Sequence, residues 1–131
     1  MASEFHLLIV DDNTELNETF KDIFEFKGFT VTTAQTGDEA VALARKFRFD
    51  AVMLDLVMPG MDGAATLRSI RELAPDTRFI VVTAYENGPI AAEARRTGAL
   101  RVFQKPLVAE EVVRFLTGLR DKPPETGNPK L

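Results

Sequence analysis

The chain has 131 residues, a formal net charge of −4 and no cysteine. That length suits one domain with a real core, and the missing thiols exclude disulfides, zinc–thiolate sites and a cysteine nucleophile. The mild acidity argues against phosphate-backbone binding as the main task, and no apolar run approaches membrane-spanning length.

The start, Met1-Ala2-Ser3-Glu4-Phe5, carries no signal-peptide pattern, so a cytoplasmic location is expected. Leu7 to Val10 is an apolar run that predicts strand one. From Glu15 to Lys27, Leu16, Phe20, Ile23 and Phe24 recur at helical spacing, and Gly28 fits a helix stop. Phe29 to Ala34 alternates as a half-buried strand. Thr36 and Glu39 have capping-box spacing and open helix two, with Ala40, Leu43, Ala44 and Phe47 inward. Ala51 to Leu54 is a continuous apolar strand. Asp62 opens helix three, with Leu67, Ile70 and Ala74 inward. Phe79 to Val82 is strand four, Pro89 to Arg96 a short helix four, and Arg101 to Gln104 strand five. Helix five carries Val108, Val112, Phe115, Leu116 and Leu119 on one stripe. Phe20, Phe24, Phe47 and Phe115 are expected in the core. The stretch from Lys122, with Pro123, Pro124, Gly127 and Pro129, does not continue a helix and reads as a flexible end or linker start. The expected division is therefore a domain over 1–120 and a tail over 121–131.

Strands alternating with helices imply right-handed crossovers and a parallel sheet. Strands one, three and four are apolar throughout, as central strands covered on both faces should be. Strands two and five read as edges. The flavodoxin-like order 2-1-3-4-5 satisfies both readings and places the functional site beyond the carboxyl ends of the strands. There Asp11 and Asp12 follow strand one, Asp55 follows strand three, Thr83 ends strand four and Lys105 ends strand five. Three clustered carboxylates repel one another unless a cation joins them. A hard, oxygen-ligated ion, magnesium foremost, suits such a set. Singly, each of these residues has a plainer reading: a cap, a turn hydroxyl or a solvated charge. For Asp62 the cap is preferred. His6 has no partner in sequence and reads as an ordinary strand-start residue rather than a ligand or base.

The stretches Ile9-Val10-Asp11-Asp12, Leu54-Asp55-Leu56-Val57-Met58-Pro59-Gly60-Met61-Asp62-Gly63, Val82-Thr83-Ala84, Gly98-Ala99 and Lys105-Pro106 stand in this order, most of them at strand ends. Together they resemble the receiver domains of bacterial two-component response regulators, the CheY-like superfamily. The resemblance spans about Leu7 to Leu119. It implies that Asp55 is the phosphoacceptor, a carboxylate that becomes an acyl phosphate. It implies that Asp11, Asp12, Asp55 and the main-chain carbonyl of Val57 hold magnesium. Lys105 and Thr83 would contact phosphoryl oxygens, and the small Ala84 would leave the site open. The Lys105-Pro106 bond resembles one that is cis in the family. The implied partners are a sensor histidine kinase or a histidine phosphotransfer protein. Phosphorylation would switch the surface of helix four, strand five and helix five, changing partner binding or driving homodimerisation. No membrane contact and no direct nucleic-acid binding by this domain are expected. Nor is metabolic enzyme activity; the domain would take part only in its own phosphotransfer and dephosphorylation.

The chain departs from the family pattern in places. Many receivers have an aromatic residue three positions before the lysine; here it is Val102, and strand alternation sends Phe103 to the opposite face. Leu107 stands where phenylalanine is commonest. Val57 and Tyr85 occupy positions that influence autodephosphorylation. An apolar Val57 orients no water and Tyr85 is placed to shield the site, so a long-lived phosphoryl group is expected. One rival reading is a pseudo-receiver binding module, although no acid, threonine or lysine is lost here. Another is a magnesium-dependent aspartyl phosphohydrolase, which needs an acid two residues after the nucleophile, where this chain has Val57. A nucleotide-binding module lacks its glycine-rich loop.

Overall fold

A computed structural model describes residues 4–58 and 61–121. Five parallel strands form one sheet: β1 (His6–Val10), β2 (Thr30–Ala34), β3 (Ala51–Asp55), β4 (Arg78–Thr83) and β5 (Ala99–Gln104). Their order is β2-β1-β3-β4-β5, the flavodoxin-like arrangement expected. Five helices connect and follow them: α1 (Thr14–Phe26), α2 (Gly37–Lys46), α3 (Gly63–Leu73), α4 (Pro89–Thr97) and α5 (Ala109–Asp121). A short antiparallel bridge, Val57–Met58 with Met61–Asp62, precedes α3. The tail from Lys122 and the Pro59-Gly60 turn lie outside the described residues.

The central strands are buried on both faces, so their alternate residues feed two cores. Leu8, Val10, Val52, Leu54, Phe79, Val81 and Val102 pack with Leu67, Ile70, Ala91 and Ala94 of α3 and α4. Leu7, Ile9, Met53, Ile80, Val82 and Phe103 pack with Phe20 and Phe24 of α1 and Val112 and Leu116 of α5. Each fully buried large apolar side chain contributes about 1.5–3 kcal/mol relative to exposure.

Local signals set the element ends. Asn13 caps α1 by accepting from Leu16 N. At its other end, Gly28 N donates to Glu25 O and Phe29 N to Phe24 O, with Gly28 at φ 96°. This is a Schellman stop, and it brings the Phe24 and Phe29 rings to 5.0 Å. Thr36 caps α2 as expected, accepting from Glu39 N. The reciprocal arm of the box lands one residue early, on Gln35 N. Asp62 caps α3 through Ala64 N and Ala65 N.

Two expectations about the core need correction. Phe47 is 49% exposed: α2 ends at Lys46, and Phe47, at φ −129° and ψ 152°, is already extended, so helical periodicity no longer places it. Val108 is 53% exposed because α5 begins only at Ala109. Strand five starts two residues earlier than predicted. A register shift lets Phe79 face Ala99 and Ile80 face Arg101, which leaves Leu100 bulged out and exposed.

Candidate functional site

The parallel sheet brings the five predicted residues to one edge. Asp11 leaves the end of β1, Asp55 ends β3 and Thr83 ends β4; all three are buried. Asp12 is exposed beside them. Carboxylate oxygens of Asp11, Asp12 and Asp55 all lie within 4.8 Å of one another. Lys105, just past β5, donates from Nζ to Asp55 Oδ2 at 2.7 Å and stands 3.6 Å from Asp11 Oδ2. Its peptide bond to Pro106 is cis.

Backbone donors fix the two buried acids. Asp55 Oδ1 accepts from Val57 N at 2.9 Å, and Asp11 Oδ1 accepts from Asn13 N at 2.9 Å. The Lys105 N–H donates to Thr83 O at 2.8 Å, which ties the ends of β4 and β5 together. The Thr83 hydroxyl oxygen accepts from Tyr85 N at 3.3 Å and keeps its own proton to donate. Ala84 follows Thr83 on the exposed surface.

The electrostatics are those of a crowded anionic site. Burial pushes the Asp11 carboxyl above its ordinary value and the Asp55 charge adds to this, while the Asn13 N–H and Lys105 pull it back. Burial alone would lower the Lys105 ammonium. The hydrogen bond and charge of Asp55, with the charge of Asp11, outweigh burial and hold it above the ordinary lysine range. Three carboxylates against one ammonium leave the cluster net negative. A hard divalent cation fits this all-oxygen donor set, and Asp11, Asp12 and Asp55 are the residues placed to hold it.

One residue that supports the site was not singled out in the sequence. Asn17 is buried on α1 and donates from Nδ2 to Asp11 O at 2.9 Å and Ala34 O at 3.3 Å, fixing the backbone at the first acid. Its signal was a polar amide three residues before Phe20, on the buried stripe. His6 is not part of the site. It lies at the far end of β1, bonded to Thr32 Oγ1 and packed on Phe49, as the plain reading had it. Tyr85, expected to shield the site, is 75% exposed.

The chain is thus a doubly wound α/β domain that gathers a strand-end aspartate, two flanking acids, a threonine and a lysine at the carboxyl edge of its sheet. The family model described as the response regulator receiver domain matches residues 7–117, and the chain belongs to that family. A response regulator receiver protein from Anaeromyxobacter sp. (strain Fw109-5) is 40% identical over 106 residues, 81% of this chain but only 44% of that relative's length. The structure of a CheY-like receiver domain protein from Methanospirillum hungatei JF-1 superposes with a TM-score of 0.85 at 28% identity, covering 92% of this chain and 96% of that one. A response regulator from Burkholderia pseudomallei, solved with a phosphorylated aspartic acid, a calcium ion and citrate, gives 0.80 at 28% identity, covering 91% and 70%. Among the described residues, no helix is long and apolar enough to cross a membrane.

Proposed function

We propose that this receiver domain accepts a phosphoryl group on Asp55 from a phosphohistidine donor, in a magnesium-dependent reaction. The observation that carries the reading is the placement of Asp55 at the end of a central strand, with Lys105 Nζ 2.7 Å away and the acid cluster beside it. The phosphorylated aspartic acid and calcium ion of the Burkholderia structure support it.

A carboxylate oxygen of Asp55 attacks phosphorus. The new O–P bond forms as the donor N–P bond breaks, and the bonding pair leaves on the imidazole nitrogen. The rigid strand end and Val57 N hold the carboxylate in place for attack. Lys105 moves its charge from Asp55 to an oxygen of the arriving group. Thr83 donates its hydroxyl to another oxygen. Magnesium held by Asp11, Asp12, Asp55 and the Val57 carbonyl would supply charge neutralisation at the phosphoryl group. Ala84 adds no bulk at this edge.

The domain is a switch rather than a turnover enzyme: one phosphoryl group changes a surface. The α4–β5–α5 face is the output surface in this reading, and it serves a partner or a second copy of the chain. Its β5–α5 part presents a groove of about 640 Å³ lined by Arg101, Glu111, Arg114, Phe115, Gly118 and Leu119. The donor is a sensor histidine kinase or a phosphotransfer protein, and the setting is the cytoplasm.

Intact mass after incubation with acetyl phosphate tests the reading. A gain of one phosphoryl group that requires magnesium and is lost in Asp55→Asn is expected. If neither acetyl phosphate nor phosphohistidine donors add mass to the native chain, the pseudo-receiver reading replaces this one.

A further inference from the structure

The loop from β4 to α4 leaves Thr83 and enters α4 at Pro89, so it lies between the site and the first helix of the proposed output surface. The backbone of a single residue in it is held from two sides. Glu86 N donates to Gln104 Oε1 at 3.0 Å, and Glu86 O accepts from Arg95 Nη1 of α4 at 3.1 Å. Gln104 is the last residue of β5, pairs with Thr83 in the ladder and directly precedes Lys105. Tyr85, between Thr83 and Glu86, bonds back to the Thr83 hydroxyl and forward to Gly88 N. Thus the loop that follows Thr83 is tied at Glu86 both to the residue before Lys105, through the Gln104 side chain, and to α4, through Arg95.

We infer that Gln104 is a positioning residue: its amide latches the β4–α4 loop in the resting arrangement and couples Thr83 and Lys105 to α4. The inference rests on the phosphoacceptor reading above. The arrangement is the resting one because Lys105 is still bonded to Asp55. Drawing the Thr83 hydroxyl toward a phosphoryl oxygen pulls on Tyr85 N and then on Glu86, and the Gln104 bond is the contact that resists. Arg95 passes the displacement of Glu86 to α4. This route needs no ring at position 102, where Val102 is buried against Ala91 and Ala94 in the same core.

A bond seen in the resting state stabilises that state, and its removal lowers the free-energy difference that a phosphoryl mimic must overcome. Gln104→Met keeps the length of the side chain and removes the acceptor; Gln104→Glu keeps an acceptor. Position 104 is exposed, so both variants should fold. In the full chain, Gln104→Met should speed amide exchange at Glu86 and tighten binding of beryllofluoride with magnesium by about two- to tenfold, the span of one exposed hydrogen bond. Gln104→Glu should keep Glu86 protected and bind no more tightly than native. Met and native proteins alike in both measurements would overturn the latch, as would a Glu variant that behaves like Met. Faster Glu86 exchange with unchanged affinity would overturn the coupling and leave a loop brace. A native chain that binds no beryllofluoride and takes no phosphoryl group sinks the functional reading and the coupling with it; Glu86 exchange still decides whether Gln104 holds the loop.

Discussion

Lys105 Nζ lies 2.7 Å from Asp55 Oδ2, joining residues 50 apart in sequence across the carboxyl edge of the sheet. The same ammonium is 3.6 Å from Asp11 Oδ2, so one cation spans two buried carboxylates. In the metal-free protein this contact offsets much of the repulsion that the fold creates by ending β1 and β3 in acids.

Lys105→Met should therefore destabilise the metal-free protein. Breaking a buried pair costs several kcal/mol, but the Lys105 side chain is 37% exposed and partly screened by water. A loss of about 1–2 kcal/mol at neutral pH is expected from urea denaturation. The pH dependence has a definite sign. The folded lysine binds its proton more tightly than the unfolded one. Its contribution is therefore complete below the ordinary value of 10.5 and fades as pH rises through the raised one. A Met variant as stable as the native chain at neutral pH would refute the role. In magnesium the loss should be smaller.

Asp11→Asn should do the reverse. Burial, with the neighbouring Asp55 charge, raises the Asp11 carboxyl, so the folded state loses stability as pH rises from 3.8 through the raised value. The amide removes that penalty and keeps an oxygen for Asn13 N. At neutral pH without divalent ions the variant should be more stable by about 1 kcal/mol, a few degrees in Tm. The gain should vanish in acid below both values, and magnesium should stabilise the variant less than the native chain. Thermal melts with and without magnesium decide this; a lower Tm for the metal-free variant counts against it.

Much of this site was legible because its parts sit at the ends of apolar runs. Asp11 and Asp55 follow central strands, and a parallel sheet leaves such carboxylates nowhere to go but one edge. Val102 and Phe103 were separable for the same reason: neighbours on a strand face opposite ways, and they fall into different cores. Phe47 and Val108 were misplaced because helical periodicity was carried one residue past the end of α2 and started one residue before α5. The Leu100 bulge left no mark, since a skipped pair depends on strand β4 as much as on β5. The Gln104–Glu86 bond was invisible because it joins an exposed side chain to a loop amide 18 positions away. Asn17 was visible only as an amide on an apolar stripe.

The entry to α3 makes a packing prediction. A Cβ at Gly63 would lie 2.7 Å from Leu56 Cα and 2.8 Å from Leu56 O, backbone atoms one residue past Asp55. Gly63→Ala must push apart the helix start and the segment that follows Asp55. A destabilisation of about 1–3 kcal/mol is expected. Phosphoryl uptake should slow as well, because the Val57 N contact to Asp55 Oδ1 is next along the chain. Unfolding midpoints test the first effect and intact-mass time courses the second. A variant of native stability would show that the segment relaxes freely.

In the proposed reaction, the lifetime of an acyl phosphate on Asp55 would depend on the rim of the site. Val57 follows Asp55 by two residues and is 53% exposed, an apolar side chain that offers no hydrogen bond to an attacking water. Val57→Gln supplies both a donor and an acceptor at that position, and hydrolysis should accelerate about three- to tenfold through better orientation of water. Tyr85 is 75% exposed, so Tyr85→Ala should change the rate less than Val57→Gln does. The decay of the phosphorylated mass after removal of the donor gives both rates. If Tyr85→Ala accelerates loss more than Val57→Gln, the ring folds over the site once the phosphoryl group arrives, and shielding rather than water orientation sets the lifetime.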